Sequence, residues 1–269
     1  MGYFDNKTEL INHAKYWNEK METECLDETE MSTNGSLIYK DNNLDIRPHD
    51  VSLTHNTDIC IVQSSTTDAI YKYSEECHGD KMAALNFASY KNPGGMFLNG
   101  SSAQEETLCH ESNLYNILKR LEDRFYVPNR KRLNNSLYNS NLIYTPSVYF
   151  ESVNLDEVYC DIITCAAPNR TAARRYKRVP DDIINEHMKD RIDHVLFAAL
   201  DQHVDVLILG AFGCGVFGNE PKVVAKIFKN FLETDYKGCF KKVVFAIPAG
   251  KNYDKFKEVF SNEHNKQIL

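Results

Sequence analysis

"VDVLILGAFGCGVFGNEPKVVAKIFKNFLE", residues 204–233, decides the fold. Its opening apolar run does not alternate with polar residues, as a strand covered on both faces requires. After Gly210, Gly213, Gly215 and Gly218 the pattern changes: Val223, Val224, Ile227, Phe228, Phe231 and Leu232 share one face at helical spacing. A buried strand feeding a helix through a glycine-rich turn is the repeating unit of a parallel sheet. The same alternation extends in both directions. "SLIY" at 36–39, "DICIVQ" at 58–63, "MAALNFA" at 82–88, "NLIYTPSVYF" at 141–150, "VYCDIITCAA" at 158–167 and "KKVVFAI" at 241–247 read as strands, and Ile192, Val195, Leu196, Ala199 and Leu200 mark a second one-faced helix. The expectation is an α/β sandwich on a mostly parallel central sheet. Residues 51–269 are expected to form one domain with a single core. Residues 1–50 are expected to be an accessory segment packing on it, with an amphipathic helix at Leu10, Ile11, Ala14 and Trp17 before an acidic run at 19–30. "NRKRLNNSLYNSN" at 129–141 reads as an exposed loop. The basic "NRTAARRYKR" at 169–178 reads as a solvated loop, with contact to the phosphates of a ligand as its alternative.

Composition narrows the function classes. Hydrophobic residues make up 42% and charged residues 26%, an ordinary globular balance. The eight cysteines stand singly with no CxxC pair, which argues against a thiolate zinc site and for a reducing, intracellular setting. The N-terminus lacks a leader pattern, and no apolar run approaches spanning length. A net charge of −7 argues against general affinity for duplex nucleic acid. A phosphate-bearing ligand therefore needs a local site.

The loop at 210–218 supplies one. Glycines let backbone N–H groups converge on a ligand, and Asn219 as N-cap with Pro221 in the first turn would aim a helix N-terminus at an anion such as a diphosphate. A tight turn serving only backbone geometry is the plainer reading. Gly213-Cys-Gly215-Val-Phe-Gly218 also spells GxGxxG, the fingerprint of dinucleotide-dependent dehydrogenases, which expects a ribose-binding carboxylate roughly 20 residues later at the end of the next strand. Here that strand ends "FAIPAG", so the dehydrogenase reading is set aside.

The second stretch with chemistry is "NFASYKNPGGMFLNGSSAQEETLC", residues 86–109. Ser102 and Glu105 fit a capping box, with Ser102 as N-cap. That leaves Glu106 and the Pro-Gly-Gly turn unexplained. The potential at a helix N-terminus favours ionised carboxylates, whereas a general acid needs a proton; a desolvated site in which one carboxylate opposes ionisation of the other resolves the conflict. Such a pair suits glycosidic chemistry. His110 reads as a half-exposed helix histidine, and Cys214, with no histidine partner evident, is not expected to be a nucleophile.

With "DIITCAAPN" and "LILGAFGCGVFGN" in the same order, this stretch resembles the signature of poly(ADP-ribose) glycohydrolases of the bacterial-type branch of the macrodomain superfamily, a GGG turn followed by QEE. The resemblance covers roughly residues 55–250 and leaves residues 1–50 unaligned. It implies a macrodomain-like three-layer α/β/α sandwich with an N-terminal helical extension. It also implies hydrolysis of the O-glycosidic bond of ADP-ribose units, with neither metal nor cofactor. Glu106 would be the catalytic acid/base, and Glu105 would hold the hydroxyls of the reacting ribose, which Asn86, Gly94, Gly95 and Gln104 would help line. Gly213, Cys214, Gly215, Val216 and Phe217 would wrap the diphosphate, with Val216 and Phe217 against the reacting sugar. Apart from the resemblance, the aromatic Tyr253 and Phe256 after the last strand are expected to flank the adenine. The implied partners are ADP-ribose, poly(ADP-ribose) and ADP-ribosylated proteins or other acceptors, met by a monomer in the cytoplasm, or in the nucleus of a eukaryotic cell. One position departs: Met96 stands where the family has its third glycine. A side chain there would narrow the groove beside the ribose and favour terminal units. A non-catalytic ADP-ribose reader is the alternative.

Overall fold

Apolar runs without alternation demand cover on both faces, and the computed structural model, which describes residues 6–41, 55–152 and 157–261, provides it. All seven runs form strands: β1 (Leu37–Tyr39), β2 (Asp58–Val62), β3 (Met82–Phe87), β4 (Leu142–Glu151), β5 (Glu157–Cys165), β6 (Val206–Leu209) and β7 (Lys242–Ala246). They make one sheet in the order β1-β4-β5-β3-β6-β7-β2. The five strands from β5 to β2 run parallel, β4 is antiparallel to β5, and β1 is antiparallel to β4. This is the mixed, mostly parallel macrodomain-like sheet.

Ten α-helices accompany it among the described residues: α1 (Lys7–Glu24), α2 (Leu26–Gly35), α3 (Thr66–Glu76), α4 (Gln104–His110), α5 (Leu114–Arg120), α6 (Tyr126–Arg130), α7 (Arg170–Lys177), α8 (Asp181–Asp201), α9 (Pro221–Glu233) and α10 (Lys251–Ser261). Successive strand residues point to opposite faces, so each strand feeds two cores. Ala83, Leu85, Ile163 and Cys165 pack with Val195 of α8, Phe228 of α9 and Phe256 of α10. Ala84, Ile162, Ile208 and Val244 pack with Trp17 of α1, Ile70 of α3, Leu108 of α4 and Ile117 of α5.

The N-terminal segment enters both the sheet and a core. β1 pairs Leu37 with Tyr144, and the buried Trp17 donates its indole N–H to Ser112 O at 3.0 Å. The expected boundary between residues 50 and 51 lies outside the described residues. Two stretches differ from their loop readings. Residues 129–141 begin inside α6, and Leu137 and Tyr138 are buried, with Tyr138 stacked on Tyr90 at 4.2 Å. Residues 170–177 are helical, with the Asn169 side chain accepting from Ala172 N–H as N-cap. Ala173 is the one residue of α7 that is buried, and so weak an apolar signal reads as loop. Behind the sheet's end, buried Arg191 of α8 donates to Ala166 O and, at 3.2 Å, to Leu137 O, which ties the end of β5 to the segment carrying Tyr138.

Candidate active site

Parallel strands deliver their carboxyl ends to one edge of a sheet, and ligands of such sheets bind there. A cavity of about 740 Å³ opens at that edge. Its walls are Ser65–Thr67 after β2, Phe87–Ser89 at the end of β3, Ala167 after β5, Ala211–Phe217 without Cys214 after β6, and Ile247–Asn252 after β7. Met96 and the start of α4 close one side.

α4 is held by its own first residues. Ala103, not Ser102, is the N-cap, and no side chain caps the helix. The expected capping box fails because Glu105 is spent elsewhere. Gln104 accepts from Phe87 N–H at 2.8 Å and donates to Leu85 O at 2.8 Å and Thr66 Oγ1 at 3.1 Å, fastening the helix start to the end of β3. The buried Glu105 accepts from Ser89 N–H at 2.7 Å and from the Asn86 amide at 3.4 Å. The buried Glu106 accepts from Met96 N–H at 2.8 Å through Oε1, while its Oε2 is buried with no protein partner. Burial pushes the Glu105 carboxyl up to about 8, and the neighbouring Glu106 charge adds to the rise while the Ser89 N–H opposes it. Glu105 therefore favours its protonated form at neutral pH in the free protein.

The Pro-Gly-Gly turn is shaped by these carboxylates. Gly95 has φ +61°, and a Cβ there would stand 2.4 Å from Glu106 Oε1. At Gly94 the Cβ would strike the Tyr115 ring at 2.7 Å. Across the cavity, the Asn219 amide donates to Pro168 O at 2.8 Å and Gly213 O at 3.0 Å, anchoring the glycine loop. Glu220, not Asn219, is the N-cap of α9, because the Asn219 side chain is used on the loop.

Of the residues singled out in the sequence, Gln104, Glu105, Glu106, Gly213, Gly215, Val216 and Phe217 line the cavity. Asn86 and Gly95 stand behind that lining against the carboxylates, and Gly94 packs against Tyr115 and Cys109. Cys214 turns away from the cavity to pack on the core, its Sγ donating to Phe212 O at 3.6 Å, and burial pushes its thiol up to about 12. Tyr253 packs against the same core with Lys257 Nζ 5.8 Å over its ring, and Phe256 is buried within it; neither is in the cavity wall. His110 is 6% exposed rather than half-exposed, because α1 covers it: its Nδ1 lies 2.9 Å from His13 Nδ1, and burial lowers its pKa to about 4. Sequence reasoning missed Ser65–Thr67, Ser89 and Pro248–Asn252. The available signal was their position directly after strands already identified.

Two buried neighbouring carboxylates, one oxygen left without a partner, stand beside a cavity walled by an anchored glycine loop on a macrodomain-like sheet, an arrangement suited to glycosidic hydrolysis. The sequence profile of the microbial-type PARG catalytic domain matches residues 5–151, beginning inside the N-terminal segment that the motifs alone left unaligned. The chain belongs to this microbial-type poly(ADP-ribose) glycohydrolase family. It is similar to the solved poly(ADP-ribose) glycohydrolase of Thermomonospora curvata, at 29% identity over 93% of this chain and 99% of that one, with a TM-score of 0.85. The structure of that enzyme bound to the inhibitor ADP-HPD matches at 30% identity over 93% and 98%, with a TM-score of 0.81. The Deinococcus radiodurans enzyme in complex with ADP-ribose matches at 30% identity over 86% and 96%, with a TM-score of 0.78. No curated protein sequence matches the chain. Among the described residues, no helix is long and apolar enough to cross a membrane.

Proposed function

We propose that this glycohydrolase binds ADP-ribose in the cavity and releases it from poly(ADP-ribose) and from ADP-ribosylated proteins or other acceptors, with Glu106 as the catalytic acid/base. The carrying observation is Glu106 Oε2, buried in the wall of the cavity without a partner while Oε1 is fixed by Met96 N–H. A buried polar atom left unpaired in the free protein is costly, and a ligand that pairs it recovers that cost. Glu106 in its protonated form gives its proton to the departing acceptor oxygen as the bond to the ribose anomeric carbon breaks. Its carboxylate then takes a proton from water, whose oxygen bonds to that carbon. Glu105, positioned by Ser89 N–H and Asn86, holds the ribose hydroxyls. The backbone of residues 213–217 meets the diphosphate, with Val216 and Phe217 beside the reacting sugar. The other complexes of this family with ADP-ribose and ADP-HPD support the same ligand here.

Labelled poly(ADP-ribose) and mono-ADP-ribosylated protein test the reading. The wild type is expected to free ADP-ribose, and Glu106→Gln to lose roughly 10²–10⁴-fold in rate, the span of general acid–base catalysis, while keeping ADP-ribose affinity within a few-fold. No release from either substrate would refute the activity, and an undiminished rate in Glu106→Gln would refute the role of Glu106.

A further inference from the structure

Five of the protein's 31 Lys and Arg residues fall within residues 169–178, which contain no carboxylate, in a chain whose net charge is −7. The fold puts them beside the cavity. Thr171, in the first turn of α7, donates its N–H to Phe217 O at 3.1 Å, and a Cβ on Gly218 would meet Thr171 Oγ1 at 2.4 Å, so α7 abuts the glycine loop directly. Arg175 follows Thr171 on the same helix face, roughly 6 Å further along the axis. Asp181 neutralises Arg170 at 2.8 Å and Arg174 at 3.4 Å. Arg175, Lys177 and Arg178 are exposed, and no ion pair among the described residues involves them. Between them Tyr176 is 68% exposed, with the Arg175 guanidinium 5.4 Å over its ring. The neighbouring segment adds exposed Lys131 and Arg132, and it is joined to the helix by Asn169 N–H donating to Ser136 O at 2.9 Å.

We infer that this surface, formed by Arg175, Tyr176, Lys177 and Arg178 with Lys131 and Arg132, is a subsite for units of an ADP-ribose polymer beyond the one held in the cavity. Each such unit carries two phosphates and an adenine. Unpaired cations answer the phosphates, and an exposed aromatic ring beside a guanidinium offers a face on which a base stacks. Contiguity with the loop at 213–218 gives a polymer a continuous path from cavity to helix. The inference rests on the function proposed above and deepens it: the enzyme would hold long polymer through contacts that a single ADP-ribose cannot make.

The test compares wild type with Arg175→Gln/Lys177→Gln and with Tyr176→Ala on long polymer, on mono-ADP-ribosylated protein and on free ADP-ribose. Expected is a roughly tenfold rise in KM for long polymer and a shallower salt dependence, by about 0.7 in log–log slope per cation removed, with turnover of mono-ADP-ribosylated protein and ADP-ribose affinity within about twofold of wild type. Unchanged KM and slope on long polymer would overturn the inference, as would equal losses on mono-ADP-ribosylated protein and polymer. Single-stranded oligonucleotide competing at this surface as tightly as polymer would overturn it too, since the surface would then belong to nucleic acid. If wild type releases no ADP-ribose from any substrate, the parent reading fails instead, which the same assay reports separately.

Discussion

At Gly95 a Cβ would stand 2.4 Å from Glu106 Oε1 and 3.0 Å from Glu105 Oε2, whereas at Gly215, on the facing wall, it would meet nothing within 4 Å. The first glycine is required by the protein's own carboxylates. The second is surrounded by open space and has no positive φ to demand it. The loop bearing Gly215 is nonetheless held at both ends: at Gly213 a Cβ would meet Ala167 Cβ at 2.5 Å, and at Gly218 it would meet Thr171 Oγ1 at 2.4 Å. Only its crown is free, with Val216 82% exposed. The two walls teach a division of labour. The two carboxylates are held in place by protein groups, Ser89 N–H and Asn86 on Glu105 and Met96 N–H on Glu106, with Gln104 fastening the start of their helix. The glycine-loop wall is fixed at its ends and has an open crown.

That contrast breaks most visibly at the glycines. Gly95→Ala places a methyl group against both carboxylates at φ +61°. Left-handed strain of about 1–3 kcal/mol and displaced carboxylates should lower Tm, and a misplacement near 1 Å costs roughly 100-fold in rate. Gly215→Ala should leave Tm unchanged and weaken ADP-ribose by about tenfold, because its methyl group excludes only the ligand. Equal Tm losses in the two variants would erase the distinction.

A smaller effect sharpens the electrostatic side. Burial raises the folded-state Glu105 carboxyl from 4.5 to about 8. Below pH 4.5 both folded and unfolded chains hold the proton and the stability tied to the neutral group is fully present; as pH rises toward 8 the unfolded chain has lost its proton, and that stability drains away. Glu111, raised to about 7 by burial, slopes the same way, so the difference between two proteins is the measure. Wild-type Tm should fall more steeply between pH 4.5 and 8 than that of Glu105→Gln, and parallel curves would contradict a buried, proton-holding Glu105.

The least change in rate is expected at Met96. Its side chain is 49% exposed in the cavity wall, and its N–H, which holds Glu106, survives any substitution except proline. A flexible thioether narrowing the groove penalises internal linkages, where polymer continues on both sides, more than terminal ones. Met96→Gly should keep the rate on terminal units and release more oligomers from long polymer. Identical oligomer spectra would remove Met96 from any role in specificity.

Much of this was legible in the sequence, for identifiable reasons. The central strands showed because they are buried on both faces, as at Ala83, Ala84 and Leu85. The carboxylate pair showed because the capping box accounted for only one of its members. What stayed hidden depends on distant packing. Local preference favours Ser102 over Ala103 as N-cap, and it is overridden by Ser89 N–H drawing Glu105 inward. His110 is buried by His13, 97 residues earlier in the chain. α7 carries too little apolar surface to register as a helix. The walls at Ser65–Thr67 and Pro248–Asn252 have no motif of their own, and only the topology brings them together.

The most direct measurement is a crystal structure of Glu106→Gln with ADP-ribose. The expected result is the distal ribose against residues 105 and 106 with a hydroxyl oxygen in hydrogen-bond reach of residue 106, and the diphosphate along 213–217. Residues 94–96 and 104–106 should keep their positions while the crown around Gly215 moves. ADP-ribose seated with its distal ribose away from the two carboxylates, or a displaced Pro-Gly-Gly turn with an unmoved crown, would contradict it.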